Sequence, residues 1–374
     1  MMAEKIRYYS SKNIREKNAL YNIIFGERSN GKTFDILKIA FEDFINSGEE
    51  NQLGIIRRWD EDFTGANSAR TCYDSLICDG RGKNQIKIIS GGKYDGVEYS
   101  AGKYYLTTCD DEKQKSIRTD KIIALGFSLT GAEHYKSGAF PKIKTVLFDE
   151  FMTRKFYLPD EFVTFQNLIS TIVRQRTDVK IYMCGNTVNR YCPYFREMGL
   201  YRAKNMAQGD IDVYTYGDSG LTVAVEYSDS PSKNKASDIY FAFNNPRLEM
   251  IKSGAWEIDI YPHCPCKYRP CDILFTYFII FDGDILQCEI VQRDAYLFTF
   301  IHAKTTELKN MDGDLIYTTD YDVRSNYKRN ILKPTSKLEK KVTDFFLRDK
   351  VFYQDNEIGE IVRNYINWCK HSNK

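Results

Sequence analysis

The stretch Leu20-Tyr21-Asn22-Ile23-Ile24-Phe25-Gly26-Glu27-Arg28-Ser29-Asn30-Gly31-Lys32-Thr33-Phe34 decides the fold. Tyr21, Ile23, Ile24 and Phe25 form a short buried-strand pattern, and Phe34, Leu37, Phe41 and Phe44 recur behind it at helical spacing. Between them, Gly26 to Thr33 is a complete G-x-x-x-x-G-K-T loop, a motif that carries meaning only between a strand and a helix. Its glycines let backbone N–H groups turn inward on phosphate oxygens, and the helix N-terminus adds the positive end of its dipole. Gly26, Glu27, Arg28, Ser29, Asn30, Gly31, Lys32 and Thr33 are therefore the expected cradle for a nucleoside triphosphate. Lys32 reaches for the β- and γ-phosphates, and Thr33 offers a hydroxyl to Mg²⁺.

Thr145-Val146-Leu147-Phe148-Asp149-Glu150 is the second decisive motif, an apolar strand ending in two carboxylates. On its own it is an ordinary strand end. Downstream of a phosphate loop it pairs a metal-side carboxylate, Asp149, with Glu150, which orients and polarises the attacking water. A kinase needs no such base, so the pair points to an ATPase. The next apolar strand ends in Cys184-Gly185-Asn186, where the Asn186 amide either senses a γ-phosphate or simply opens a turn. Upstream of it stand Arg174 and Arg176. Either guanidinium has the chemistry to neutralise charge on a transferred phosphoryl group, in rings from the adjacent subunit. Arg57 and Arg58, ending another apolar strand, are candidates for phosphate or DNA contact, or else a surface pair.

At 374 residues two domains are expected. With 43% hydrophobic and 28% charged residues the chain reads as globular. The start, from Met1 to Arg7, lacks the apolar core of a signal peptide. The most apolar run, Ile273 to Phe281, is about half of what a membrane-spanning helix needs, so a soluble, intracellular protein is expected. Ten cysteines in apolar contexts suit reduced thiols. His263, Cys264, Cys266 and Cys271 invite a metal reading but lack paired C-x-x-C spacing. A net charge of only +2 announces no nucleic-acid partner. A local run, however, concentrates Arg324, Lys328, Arg329, Lys333, Lys337, Lys340 and Lys341, as either a solvated face or a patch for phosphate backbones.

Strands are expected at Leu53 to Arg57, Lys121 to Leu129, Ile143 to Phe148 and Val179 to Cys184, with a helix from Glu161 to Val173. Residues 86 to 108 read as an inserted β-hairpin unit turning at Gly91-Gly92 and Ala101-Gly102. Strands alternating with helices imply a mostly parallel, doubly wound sheet with its ligand at the carboxyl ends of the strands. From about Met206 the texture turns polar and loop-like. Beyond Trp256, Ile273 to Phe281 and Ile285 to Val291 flank the hairpin turn Asp282-Gly283. Helical patterns close the chain at Lys337 to Leu347 and Asn356 to Trp368.

In order, the phosphate loop, Ile56-Arg57-Arg58-Trp59, Thr145 to Phe151 and Gly185-Asn186-Thr187-Val188-Asn189-Arg190-Tyr191-Cys192-Pro193-Tyr194-Phe195 resemble one family. It is the genome-packaging (encapsidation) ATPases of small tailed phages with protein-primed linear DNA. The resemblance implies an α/β chain in three parts: an additional-strand, RecA-like P-loop ATPase domain at 1–205, a linker region at 206–249, and a small α/β domain at 250–374. The last is expected to be an RNase H-like, vestigial nuclease that binds nucleic acid. The resemblance further implies a homo-oligomeric ring, a pentamer, docked transiently from the host cytoplasm on the portal of an empty prohead. In part of the family a phage-encoded structural RNA scaffolds that ring. ATP hydrolysis drives double-stranded DNA inward, no membrane is involved, and the motor is not expected in the mature virion.

By the same resemblance Lys32 and Thr33 serve nucleotide and Mg²⁺, Asp149 the metal, and Glu150 catalysis. Arg174 matches a trans-acting arginine finger, Lys136 a lysine acting across the subunit interface, and Asn186 the position coupling hydrolysis to movement. Asp60 stands where the family pattern has a basic residue, which shifts expected DNA contacts towards Arg70, Arg81 and Lys83. A rival reading is a terminase-like motor with a live nuclease built on Asp282, Asp284, Asp312 and Asp314, although these lie in Asp-Gly-Asp turns better explained by hairpin geometry. A third, ATP as structural glue, leaves Glu150 without a purpose.

Overall fold

Apolar strands alternating with helices build the first of two compact units, Met1–Trp256 and Glu257–Lys374. A computed structural model describes residues 8–66, 69–110, 115–153, 157–229 and 259–372. In the first unit, β1 (Tyr21–Gly26), β2 (Gln52–Arg57), β3 (Gly96–Ser100), β4 (Lys103–Asp110), β5 (Lys115–Ser128), β6 (Ile143–Asp149), β7 (Lys180–Asn186), β8 (Ile211–Tyr216) and β9 (Leu221–Ser228) form one sheet. Its order is β3-β4-β5-β2-β6-β7-β1-β9-β8. Neighbours from β5 through β9 run parallel, and antiparallel partners close both edges. β7 lies between the loop-bearing β1 and the Asp149-bearing β6, which is the inserted strand that defines the additional-strand class.

Alternate residues of β1 feed opposite cores. Tyr21, Ile23 and Phe25 join Phe148, Phe165 and Tyr194 on one face, whereas Ile24 joins Leu37, Phe41 and Phe44 on the other. Helix α1 (Lys32–Asn46) packs into the second cluster and α2 (Glu161–Val173) into the first. Burial on both faces is why these strands read as near-continuous apolar runs.

Two expectations need correction. The ATPase sheet does not end at 205, because β8 and β9 form a hairpin and β9 pairs along the whole of β1. The remainder of the expected linker, with the start of the following domain up to 258, lies outside the described residues. The inserted unit is not all β. Gln85–Ile89 is a short helix, because the Asn84 side chain accepts from Lys87 N and Gly91 and Gly92, both at positive φ, end it. The expected turn at Ala101-Gly102 joins β3 to β4.

The second unit holds β10 (Ile273–Phe281), β11 (Asp284–Arg293), β12 (Tyr296–Ala303), β13 (Ile316–Thr318), β14 (Tyr327–Lys328) and β15 (Val351–Tyr353), with α3 (Lys337–Leu347) and α4 (Asn356–His371). The sheet order is β14-β13-β10-β11-β12-β15. β10, β11 and β12 form an antiparallel meander, and β13, β14 and β15 add in parallel. Asp282 and Gly283, at φ 52° and 87°, supply the two positive φ values of a tight hairpin turn. Ser336 and Asp355 cap the two helices by accepting from Glu339 N and Ile358 N. Among the described residues no helix is long and apolar enough to cross a membrane.

Candidate nucleotide site

The loop's first glycine is fixed by close approach. Gly26 has φ 155°, and a Cβ there would stand 2.2 Å from Ser228 Oγ on β9. Gly31 opens α1 at φ 98°, a left-handed conformation that L side chains rarely adopt. Between them Asn30 is buried, donating through Nδ2 to Ser228 Oγ at 3.0 Å. A strap from the N-terminal side lies on this turn: Tyr9 N donates to Asn30 O at 2.9 Å, and Ser11 donates to Asp35 from N and Oγ at 2.7 and 2.6 Å.

Lys32 is buried and its Nζ donates to Glu27 O at 2.5 Å and to Asn30 Oδ1 at 3.1 Å. A longer bond of 3.5 Å reaches Asn186 Oδ1, at the end of β7. Burial lowers the Lys32 ammonium to about 8, partly opposed by Cys184, Asp149 and Glu27. Thr33 Oγ1 donates to Asp149 Oδ1 at 2.7 Å. Lys32, Thr33, Asp149 and Asn186 thus meet at one end of the sheet, where parallel strands present their carboxyl ends. Glu27 is half-buried, and Arg28 and Ser29 are exposed on the loop. Glu150 follows Asp149 with φ 58° and a largely exposed side chain.

Arg57 is the residue that motif reading placed least well. It is buried at the end of β2, and β2 lies beside β6 with Ile56 opposite Phe148, which sets Arg57 beside Asp149. Its Nη1 pairs with Asp149 Oδ2 at 2.7 Å, Nη2 with Glu150 Oε2 at 3.2 Å, and Nε with Asp62 Oδ2 at 3.7 Å. One guanidinium therefore holds both carboxylates. Arg58 is buried as well, and not a surface contact for DNA. Its Nε and Nη2 form a fork on Glu161 at 2.8 and 2.9 Å, and its guanidinium stacks on Tyr157 at 5.2 Å. Burial works against the Arg58 charge, and the Glu161 carboxylate more than offsets it, leaving the group above its ordinary value. No local pattern marks these roles; the signal is the adjacency of β2 and β6.

Arg174 and Lys136 are exposed and occupy one neighbourhood: Arg174 Nη2 donates to Gly138 O at 2.5 Å, and Lys136 pairs with Glu133 at 2.5 Å. Among the described residues neither side chain bonds the loop or the carboxylate pair of its own chain. Arg176 is different in kind. Its guanidinium donates to the carbonyls of Val173, Pro141, Ile143, Phe140 and Ile172 at 2.7–3.2 Å. Among the other basic candidates, Arg70 lies over Tyr99 at 5.3 Å and Arg81 over Tyr8 at 5.8 Å. Asp60 is tied to the end of β5 through Ser128 Oγ.

Among the described residues the acids of the nuclease reading form no group of three that could hold a metal. Asp282 makes a hairpin turn, Asp312 pairs with Arg324 at 3.3 Å, and Asp314 accepts from Asn310 at 3.4 Å. Among the described residues no group of three His, Cys, Asp or Glu is arranged to hold a metal ion, the His263, Cys264, Cys266 and Cys271 group included. The basic run divides. Arg324 is paired with Asp322, Lys328 with Glu339, and Arg329 bonds Thr319 O, while Lys337, Lys340 and Lys341 are exposed on α3 and its first turns.

Strand order, loop and carboxylate pair together define a P-loop nucleotide-binding fold of the additional-strand class. Residues 113–219 match the family model of the podovirus DNA encapsidation protein, Gp16, a span that includes Lys136, Asp149, Glu150, Arg174 and Asn186. The chain is 23% identical over 332 residues to the DNA packaging protein of Bacillus phage phi29, spanning 87% of this chain and 89% of that one. It is 24% identical over 316 residues to that of Bacillus phage B103, spanning 83% and 87%. The phi28 gp11 DNA packaging motor shares the fold at 18% identity and a TM-score of 0.51, covering 99% of this chain and 100% of that one. The phi29 genome packaging motor assembly does so at 16% identity and a TM-score of 0.54, covering 96% of each. The chain is similar to phage DNA packaging proteins over most of its length, in line with the resemblance its motifs carry.

Proposed function

We propose that this chain is the ATP-hydrolysing subunit of a ring motor that drives double-stranded DNA into an empty prohead. The observation that carries the ATPase reading is the Thr33 Oγ1 to Asp149 Oδ1 bond at 2.7 Å, with Glu150 next along the chain. Kinship with DNA packaging proteins over most of the chain supports the rest.

The donor set fits a Mg²⁺–triphosphate. A hydroxyl and a carboxylate meet beside the glycine-bounded loop, and Arg57 already sets positive charge against Asp149. Thr33 and Asp149 would hold the metal, directly or through water; bound Mg²⁺ neutralises charge developing on the phosphoryl oxygens. Lys32, whose Nζ donates to Glu27 O, would serve the β- and γ-phosphates. Glu150 orients the attacking water and takes its proton. Arg57, paired with Asp149 Oδ2, would orient that carboxylate towards the metal. Asn186 reports on Lys32 from β7. Arg174 and Lys136, exposed and away from their own loop's bonds, serve the site of the adjacent subunit.

The domain reading is an ATPase unit continuing through β9, a linker, and a C-terminal unit. The latter's meander β10-β11-β12, extended in parallel by β13 and β14 beside β10, supports an RNase H-like plan. β10 and β13 carry no carboxylate, which disfavours a live nuclease. Double-stranded DNA, the prohead portal and a structural RNA are the partners of this reading, the assembly is a pentamer, and the place of action is the host cytoplasm.

Glu150→Gln should retain ATP and Mg²⁺ binding while hydrolysis falls about 10²- to 10⁴-fold. Lys32→Ala should lose nucleotide binding itself. Undiminished hydrolysis by Glu150→Gln removes the carboxylate from the mechanism.

A further inference from the structure

Glu150 adopts φ 58°, a left-handed conformation uncommon outside glycine and asparagine, at the residue whose side chain must aim most accurately. The main chain on its far side is held by Arg58, whose Nη1 donates to Glu150 O at 3.3 Å and Nη2 to Phe151 O at 2.6 Å. Arg58 is in turn held by Glu161, whose carboxylate also accepts from Tyr194 OH at 2.8 Å and Leu158 N at 2.7 Å. Glu161 is buried and is the first residue of α2. That helix packs along β6, with the Phe165 ring stacked on Phe148 at 5.2 Å and Leu168, Ile169 and Ile172 buried behind it. Arg174 immediately follows its last residue, with its own N–H closing on Ser170 O at 2.8 Å. A helix of this length spans about 20 Å.

We infer that Arg58 and Glu161 are positioning residues that join Glu150, at one end of α2, to Arg174, at the other, as one mechanical unit. The inference rests on the trans role proposed above for Arg174. A close-packed helix does not flex to absorb a shift at one end; it carries the shift along its length. A change in the main chain at Glu150 therefore passes through the Arg58 fork to Glu161 and on to the guanidinium that a subunit lends its neighbour. Each site's state then sets the finger it offers, which is a physical basis for ordered firing around a ring.

Two measurements test this on the full chain in assembled rings. Glu161→Gln, which keeps the volume and one acceptor oxygen, should lower kcat about a hundred-fold while KM for ATP stays within about two-fold. An unchanged kcat overturns the positioning role. The second measurement reads the finger alone, in mixed rings. Glu150→Gln subunits bind nucleotide without hydrolysing it and can donate Arg174; Arg174→Ala subunits bind nucleotide but cannot donate. Mixing the two should restore turnover, and if it does not, the trans reading itself falls and this inference with it. Where it does, adding Glu161→Gln to the Glu150→Gln donor should reduce the restored turnover about ten-fold, although the donor performs no chemistry. Equal restoration leaves the trans finger standing and overturns the link through α2. Should the Glu161→Gln donor fail to assemble, Tyr194→Phe in the same donor removes a single hydrogen bond to Glu161 and must likewise weaken donation; undiminished donation overturns the link.

Discussion

Glu226 offers a prediction whose size can be worked from its surroundings. It lies on β9, one strand from the phosphate loop, 6% exposed, with Tyr9 OH donating to its Oε2 at 2.6 Å. Burial raises its carboxyl from an ordinary 4.5 to about 7; Asp35 adds to the rise and the Tyr9 hydrogen bond opposes it. A carboxyl whose folded value is raised favours folding fully below its unfolded value. That contribution fades as pH climbs towards the folded value, because the unfolded chain ionises first. The window is therefore pH 4.5 to about 7. At roughly 1.4 kcal/mol per unit the full swing is about 3 kcal/mol, an upper figure for a group with a polar neighbour. Glu226→Gln keeps an acceptor for Tyr9 and removes the titration. Hydrogen exchange of peptides from β9, corrected for intrinsic pH dependence, reads the local stability at pH 5, 6, 7 and 8. Relative to the variant, the parent should lose protection across this window and then level off. The same pH slope in both proteins, or a parent that gains protection towards pH 7, refutes the reasoning.

Arg176→Ala should destabilise the first unit by about 3 kcal/mol or more, since it strips hydrogen-bond donors from several partly buried carbonyls; Arg174→Ala should leave the unfolding midpoint nearly unchanged while abolishing turnover in homogeneous rings. The reverse pattern in thermal melts and ATPase assays exchanges the two roles. Neutralising Lys337, Lys340 and Lys341 should weaken nucleic-acid binding equally for unrelated sequences and flatten the salt dependence by roughly 0.9 log unit per lost contact on B-form DNA. An unchanged salt slope for DNA and RNA makes that helix face merely solvated. Gly26→Ala should abolish nucleotide binding because its Cβ meets Ser228 Oγ, and pairing it with Ser228→Gly should recover part of the binding; no recovery points to φ alone as the cause.

The parts of this molecule written into contiguous sequence were legible. Gly26 to Thr33 and Thr145 to Glu150 each carry their chemistry on neighbouring residues, and both fall where expected, joined by the Thr33–Asp149 bond. The Asp282-Gly283 turn and the two closing helices are local as well, set by positive φ and by the Ser336 and Asp355 caps. What escaped depends on which strands lie side by side. Arg57 and Arg58 look alike in sequence, yet the neighbouring β6 turns one towards Asp149 and Glu150 and the other into a buried fork with Glu161. Residues 211–228 read as the start of a linker because a short hairpin at a sheet edge has no strong period of its own; its place comes from β1, far earlier in the chain. The basic run likewise looked uniform until the fold paired Arg324 and Lys328 with nearby acids.

The most direct test of the central claim is the amount of double-stranded DNA made resistant to nuclease when rings of this chain are added to purified, portal-bearing proheads with linear DNA and ATP. The parent chain should protect DNA inside the prohead and raise its ATP turnover as it does so. Rings of Glu150→Gln, which still bind ATP, should protect none. Protection by Glu150→Gln equal to that of the parent, or parent rings that hydrolyse ATP beside proheads without protecting any DNA, would contradict a motor in which this site's hydrolysis moves the genome.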